Sequence, residues 1–183
     1  MYRNGTYVAF DGNGTTNPTE SDFKYYGMLK AWNESKKHTL TFSDSHEKTY
    51  SVRDSSQIET LKARLLERLK NSKNMLLIIS DDTNYDRGML NFEIENAIDR
   101  FKLPLIIAYP KTNFILDPRL MAHRWPKALK ERIESKAAKC IHISFAQAPI
   151  FEAISQFSIH KSTLNGPLSY YTKDTYIKWG LHR

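Results

Sequence analysis

Apolar residues in this chain occur in short continuous runs, separated by polar loops and by stretches with helical spacing. Two such runs, residues 75–79 and 103–109, enclose an acidic loop and a helical pattern of apolar positions at Leu90, Ile94, Ala97, Ile98 and Phe101. Continuous apolar runs are typical of parallel strands that are covered on both faces, and a helix between two of them makes a strand–helix–strand unit. The sequence therefore predicts this unit at the centre of the chain.

Glu93 stands beside the apolar stripe of the predicted helix. At about 100° per residue it lies on the flank of the stripe, next to Ala97, whereas Glu95 and Asp99 point away from the stripe. Glu93 is thus the acid of this helix that could reach a crevice at the edge of a buried face. An ordinary carboxylate on the flank of a helix fits the same pattern, and the spacing alone leaves both interpretations open.

The same alternation of strand and helix patterns continues on both sides of this unit. Further strands are predicted at residues 6–10, 39–42 and 140–145. Further helices are predicted at 21–35, from a capping pair at Asp54 and Gln57 to Leu69, at 117–136 with a break at Pro126, and from Phe151 to Phe157. Five strands that alternate with helices predict an α/β fold, a flavodoxin-like doubly wound five-stranded parallel sheet in the order 2-1-3-4-5.

The end of the chain has no place in the five-strand scheme. Residues 1–160 are predicted to form the domain, and residues 161–183 contain Tyr170, Tyr171, Tyr176 and Trp179. We therefore expect the last segment to be an aromatic-rich tail that packs on the same domain.

The size and composition of the chain fit one globular domain. It has 183 residues, of which 40% are apolar and 26% charged, values that are unlike those of a disordered protein. No apolar run approaches the roughly 20 residues that span a bilayer, and residues 1–5 lack the pattern of a signal peptide. We therefore expect a cytoplasmic protein with no membrane partner, in which the single cysteine, Cys140, is a core thiol.

The net charge of +7 favours an anionic partner, either nucleic acid or a phosphorylated small molecule. Lysine and arginine are concentrated in residues 62–73 and 127–139, where they alternate with apolar residues at helical spacing. That spacing favours solvated helix faces. The six histidines show no pair four residues apart and no cysteine partner, so no metal site is expected.

The predicted sheet order also predicts where a ligand would bind. Ligands of doubly wound sheets lie beyond the carboxyl ends of the strands, at the switch point between strands one and three. The residues that follow the first three strands are therefore candidate binding residues: Asp11, Gly12, Asp44, His46, Ser80 and Asp82. Gly12 and Gly14 imitate a dinucleotide-binding fingerprint, but its third glycine is absent and the loop is long, so a resident nucleotide cofactor is not expected.

An ordered set of short motifs resembles a known family. The motifs are Phe10-Asp11, residues 25–32, 92–97 and 141–145, Gly166-Pro167, Tyr170-Tyr171 and residues 179–181. Together they resemble the bacterial TIR-like family, which includes the TIR-like subunit of the Thoeris antiphage system. The chain differs from the family pattern as we know it at Met89, Asn91 and Phe92, just before the glutamate.

The resemblance implies a flavodoxin-like sheet and cleavage of the bond between nicotinamide and ribose in NAD, with release of ADP-ribose or a cyclic ADP-ribose-type signal. The family's catalytic glutamate falls on Glu93. NAD would be a substrate, and no separate cofactor is implied. By topology, Phe10 and Tyr26 would stack on a ring of NAD, while Ser80 and the backbone near Gly12 would contact its phosphates.

Two other functions remain open at this stage. TIR domains often signal by self-association, so the chain could be a catalytically inactive scaffold that acts by protein–protein assembly. An active enzyme would instead pass its nucleotide signal to an effector protein. The basic stretches leave a nucleic-acid-binding module as a further alternative, with a steep dependence of binding on salt as its signature.

Overall fold

A computed structural model describes residues 3–12, 22–35, 41–44, 55–81, 83, 89–161 and 164–182. The strands are β1 (Gly5–Ala9), β2 (Phe42–Asp44), β3 (Ser72–Ile78), β4 (Leu105–Tyr109), β5 (Cys140–Ser144) and β6 (Ser169–Tyr170). The α-helices are α1 (Phe23–Ser35), α2 (Ser55–Lys70), α3 (Leu90–Glu95), α4 (Lys127–Glu134), α5 (Gln147–Gln156) and α6 (Lys173–Lys178). A π-helical turn, Asn96–Arg100, continues α3, and a 3-10 helix, Pro118–Arg124, precedes α4.

The strands form one parallel sheet in the order β2-β1-β3-β4-β5-β6. The predicted flavodoxin-like order of the first five strands is confirmed. The sixth strand was not predicted: β6 comes from the tail and pairs with Ile141 and His142 at the free edge of β5. Its two residues, one of them exposed, carry no apolar run from which a strand could be predicted.

The second strand begins later than predicted. Its residues Phe42, Ser43 and Asp44 pair with residues 6–8 of β1, so Ser43 and Asp44 belong to the strand and not to the loop that we predicted there. The hydrogen bond from the Thr6 amide to the Thr41 carbonyl, 2.9 Å long, fixes this register. An edge strand is held by such backbone pairing and needs little apolar sequence, which explains the error. Residues 36–40 and 45–54, including His46 and Asp54, lie outside the described residues.

The central strands are covered on both faces, and their side chains alternate between two apolar clusters. The α3-side cluster includes Tyr7, Ala9, Met75 and Leu77 together with Leu65, Leu69, Leu90, Ile94 and Ala97 from the helices. The α1-side cluster includes Val8, Phe10, Leu76 and Ile78 together with Tyr26, Leu29, Ile150 and Ile154. The two-residue period of a strand produces this division, which matches the continuous apolar runs of the sequence.

The helical region between β3 and β4 is braced by α4. The predicted stripe is confirmed for Leu90, Ile94, Ala97 and Ile98, which are all buried, whereas Phe101 is half-buried. Arg132 of α4 donates hydrogen bonds to the carboxylate of Asp99 and to the Ala128 carbonyl. The predicted break at Pro126 is also confirmed, because Pro126 caps α4 after the 3-10 helix.

A chain of buried hydrogen bonds ties the tail to the sheet. The indole Nε1 of Trp125 donates to the Tyr109 hydroxyl (2.8 Å), and that hydroxyl contacts Nδ1 of His142 (2.8 Å). Nε2 of His142 lies 2.8 Å from the Pro167 carbonyl. The hydrogen bonds are all satisfied when Nε2 carries the proton and Nδ1 accepts from Tyr109. Burial lowers the pKa of His142 to about 4, which favours this neutral form.

Two further features bear on the expectations from the sequence. Cys140 is a fully buried free thiol, and burial raises its pKa far above the usual range. This agrees with the prediction of a core thiol. Among the described residues, no helix combines the length and the apolar character that crossing a membrane would require.

Candidate active site

Glu93 lies in the first turn of α3 and is almost fully buried. The chain leaves β3 at its carboxyl end and returns through α3 to β4, so this first turn faces the carboxyl edge of the sheet. The amide of Glu93 donates to the Met89 carbonyl (2.9 Å), which fixes its backbone. Only 3% of Glu93 is exposed. It is more deeply buried than its predicted place at the edge of the stripe would require.

A tyrosine from the middle of the sheet contacts this carboxylate. The Tyr7 hydroxyl donates to Oε1 of Glu93 over 2.6 Å. Tyr7 is fully buried, and it belongs to the same α3-side cluster as the apolar residues of α3. The contact joins residues 86 positions apart, so the tertiary fold alone creates it.

A second group of polar residues lies where β1 and β3 end. The Ser80 hydroxyl donates to Oδ2 of Asp22 (3.0 Å), and the Ser80 amide donates to the Thr83 hydroxyl (2.8 Å). Asp11, which follows β1, acts electrostatically on Asp22. We call Asp11, Asp22, Ser80 and Thr83 the edge cluster. Apart from Ser80, which is half-buried, its members are buried.

The ionisation of Asp22, in the edge cluster, is altered by its surroundings. Burial raises its pKa from 3.8 to about 6, and the charge of Asp11 acts in the same direction. The hydrogen bonds from Ser80 and Thr83 and the charge of Lys24 act against this rise. Asp22 also begins α1, since its carbonyl accepts from the amides of Tyr25 and Tyr26. A carboxyl group that titrates near neutrality at the carboxyl edge of a parallel sheet is able to accept a hydrogen bond from a hydroxyl or to exchange a proton.

The predicted binding residues divide between these places. Asp11 and Ser80 belong to the edge cluster, and Gly12 follows Asp11 with intermediate exposure. Phe10 and Tyr26 pack in the α1-side cluster, on the opposite face of the sheet from Tyr7; their ring centroids are 5.8 Å apart and their planes 23° apart. Their stacking on a ring of NAD stays a prediction.

The remaining predicted binding residues are Asp44, His46 and Asp82. Asp44 was predicted after β2 but is the last residue of that strand, where its backbone pairs with Val8 of β1. His46 and Asp82 lie outside the described residues, so their part in a site stays a prediction.

Three buried polar residues of these groups, Tyr7, Asp22 and Thr83, were not predicted as site residues. Tyr7 was assigned only to an apolar strand, because an aromatic residue in a buried strand gives no sign that its hydroxyl meets an acid. Asp22 stood inside a predicted helix, although aspartate directly before a helix is a common signal of its start. Thr83 lies in a loop without a pattern.

The residues that distinguish this chain just before Glu93 have structural contacts of their own. Oδ1 of Asn91 accepts a hydrogen bond from the Ala128 amide at the start of α4 (3.0 Å). Phe92 packs against the α3-side cluster, and the Lys62 ammonium lies 5.7 Å from its ring centre. Asn91 thus joins α3 to α4.

Two further observations concern binding at other places in the molecule. An open cleft of about 250 Å³ is lined by Leu116–Arg119, Leu168 and Tyr170, next to β6, and no predicted site residue lines it. Within the part of the chain that the structure describes, no three histidine, cysteine, aspartate or glutamate side chains are grouped so as to hold a metal ion.

Two comparisons with known proteins bear on the resemblance seen in the sequence, and the family comparison agrees with it. A solved structure of a 2-deoxyribosyltransferase from Bacillus psychrosaccharolyticus is 16% identical, with a TM-score of 0.44, over 57% of this chain and 72% of that chain. Similarity at this level does not inform on activity. The family described as Thoeris protein ThsB, TIR-like domain, matches residues 7–114, which is more than half of the chain. The chain therefore belongs to the Thoeris ThsB TIR-like domain family.

Proposed function

We propose that this protein cleaves the bond between nicotinamide and ribose in NAD, with Glu93 as the catalytic carboxylate. The observation that carries the proposal is a buried acid in the first turn of the helix after β3, held by the Tyr7 hydroxyl. Membership of the TIR-like family supports an antiphage role and fits this chemistry. NAD is the substrate in this proposal, and no separate cofactor takes part.

The proposed reaction needs one well-placed negative charge. When the bond between the ribose C1′ and the pyridinium nitrogen breaks, its electron pair stays on nitrogen, and nicotinamide leaves as a neutral molecule. The ribose then carries the positive charge of an oxocarbenium-like state. A carboxylate in a water-poor site stabilises that charge strongly because the local dielectric constant is low. Attack of water at C1′ gives ADP-ribose and a proton, whereas attack by a nitrogen of the adenine closes a cyclic product.

The edge cluster supplies further groups for the substrate. The carboxylate oxygens of Asp11 and Asp22 are acceptors for ribose hydroxyls. The Gly12 amide follows β1 at the same edge of the sheet and would donate to a phosphate oxygen. Ser80 would do the same once its hydroxyl turns away from Asp22, to which it donates in the free protein. A dinucleotide that spans the carboxyl ends of β1 and β3 would have its diphosphate near the Gly12 amide and its nicotinamide ribose near Glu93.

The test is nicotinamide release from NAD by the purified protein at high concentration, with products separated by mass. Glu93→Gln is the informative variant because its amide oxygen still accepts from Tyr7 while the charge is lost. We expect this change to lower the rate by about 100-fold or more, the scale seen when one preorganised electrostatic group is removed. The masses identify the product as linear or cyclic ADP-ribose.

Glu95→Gln is the matched control. It makes the same chemical change two residues along the same helix, where the side chain is half exposed and lies 3.9 Å from Arg132. We expect it to retain the wild-type rate. If the wild-type protein released no nicotinamide, even with lysate of phage-infected cells added as activator, the proposed cleavage would be wrong. Function by self-association would then be favoured.

A further inference from the structure

We propose that Tyr7 is a positioning residue that sets the orientation of the Glu93 carboxylate for catalysis, an inference that rests on the proposed cleavage of NAD. The structure offers this role through a direct contact, the 2.6 Å hydrogen bond from the Tyr7 hydroxyl to Oε1 of Glu93. Tyr7 need not touch the substrate for this role, since it acts through Glu93.

The contact has the geometry of a hydrogen bond from a hydroxyl to a carboxylate. Such bonds are about 2.5–2.7 Å long when the carboxylate is ionised. The Tyr7–Glu93 distance of 2.6 Å lies in this range, which overlaps the range of bonds between neutral oxygen atoms. Such a bond stabilises the ionised carboxylate, which is the form that the oxocarbenium-like state requires.

The position of the Tyr7 hydroxyl is fixed by the sheet. Tyr7 is in the middle of β1, where it pairs with Ser43 of β2 on one side and with Met75 of β3 on the other. Its ring is fully buried in the α3-side cluster. A side chain held by two neighbouring strands and a packed core has little freedom to follow a moving partner.

The Glu93 carboxylate, in contrast, is carried by a helix and not by the sheet. Glu93 lies in the first turn of a short α-helix, Leu90–Glu95. The side chain of a glutamate has three rotatable bonds, so the helix alone does not fix its carboxylate. The bond to Tyr7 holds Oε1 and thereby sets the direction in which Oε2 points. Holding a catalytic group in the geometry of the transition state lowers the barrier without tightening substrate binding.

The experiment measures kcat and KM for nicotinamide release in four proteins: the wild type, Tyr7→Phe, Tyr109→Phe and Glu93→Gln. Tyr7→Phe keeps the buried ring and removes only the hydroxyl. We expect kcat to fall about 10-fold to 100-fold and KM to change by less than about twofold, since the lost interaction orients a catalytic group. Tyr109→Phe is matched because it also removes one buried, hydrogen-bonded hydroxyl from a strand of the same sheet, at a site next to Trp125 and His142. It should lower the stability but leave kcat within about twofold.

The outcomes separate the two proposals. A loss of kcat in Tyr7→Phe that Tyr109→Phe does not share supports positioning, because a merely structural role would affect both variants through stability. Wild-type kcat in Tyr7→Phe together with loss of release in Glu93→Gln would overturn the positioning role and leave the proposed cleavage standing. Equal losses of kcat in the two phenylalanine variants would also overturn it. Absence of release in the wild type would overturn both proposals.

Discussion

Two acidic residues of this fold are almost fully buried, and each accepts a hydrogen bond from a hydroxyl. Tyr7 donates to Glu93, and Ser80 donates to Asp22, which is also affected by the charge of Asp11. The hydrogen bond from Ser80 offsets only part of the cost of burial, because the pKa of Asp22 still rises to about 6. An acid kept in such a place lowers the stability of the folded protein at neutral pH.

Replacing Asp22 with asparagine tests this cost. The amide oxygen of the substituted side chain would still accept from Ser80, while the charge is gone. The rise of the Asp22 pKa from 3.8 to about 6 corresponds to about 3 kcal/mol. Because the pKa of Asp22 is higher in the folded than in the unfolded protein, this free energy stabilises the fold below about pH 4 and is lost as pH rises through about 6. We therefore expect Asp22→Asn to raise the free energy of unfolding at pH 7 by about 1–3 kcal/mol, and by much less at pH 4, as measured by urea denaturation.

Asp174→Asn is the control for this measurement, because Asp174 is exposed in the first turn of α6. It should show no comparable difference between pH 4 and pH 7. An Asp22→Asn protein no more stable than the wild type at pH 7 would mean that the Asp22 charge carries no such cost.

The residues of the candidate site differ in how far the sequence could predict them. Glu93 and Asp11 were predicted because the period of a helix and the end of a strand are local features. Tyr7 could not be predicted as a neighbour of Glu93, since the two residues are 86 positions apart in the chain. Local patterns place a residue on a face of its element, and only packing shows what it meets across that face.

Among the elements, those with the strongest apolar patterns were predicted best. The strands β1, β3, β4 and β5 lie inside the sheet and were predicted from their apolar runs. The edge strand β2 was predicted too early in the chain, at residues 39–42, and the edge strand β6 was not predicted. Their backbones are held by pairing on one side, so their sequences carry a weaker signal.

The contact between α4 and the helix that carries Glu93 is tested by changing Arg132. Its guanidinium donates to both oxygens of Asp99 and to the Ala128 carbonyl, and its side chain is mostly buried. Lysine keeps the charge but cannot form the paired geometry. We expect Arg132→Lys to lower the free energy of unfolding by about 1 kcal/mol, a modest figure because Asp99 is half exposed to solvent. Urea denaturation measures the change.

Lys127→Gln provides the comparison on the same helix. Lys127 lies 3.9 Å from Glu131, and both side chains are exposed. An exposed pair of this kind is worth about 0.5 kcal/mol or less. If the two variants were equally stable, the contacts of Arg132 would add no measurable stability to the packing of α4 against the helix that carries Glu93.

At the scale of the whole molecule, buried groups with opposite responses to pH lie in different parts of the sheet. Asp22 adjoins the ends of β1 and β3, and His142 lies on β5, where it joins Tyr109 to Pro167 of the tail. The His142 pKa falls from 6.5 to about 4 because burial disfavours its charged form. A lowered histidine pKa gives stability that is complete above about pH 6.5 and is lost as pH falls toward 4. Each group contributes about 3 kcal/mol over a similar range of pH, with opposite sign.

This opposition predicts three different pH dependences among four proteins: the wild type, the two single variants and the double variant. As pH falls from 6.5 to 4, stability gained at Asp22 offsets stability lost at His142 in the wild type. Asp22→Asn should therefore lose about 1–3 kcal/mol more than the wild type over this range, and His142→Gln should lose about 3 kcal/mol less. The double variant should follow the slope of the wild type, although its absolute stability is lower because the contacts with Tyr109 and Pro167 are changed. Urea denaturation at half-unit steps of pH measures the four slopes, and all other titrating groups are common to the four proteins. Parallel slopes in all four would mean that neither buried group changes its ionisation on folding.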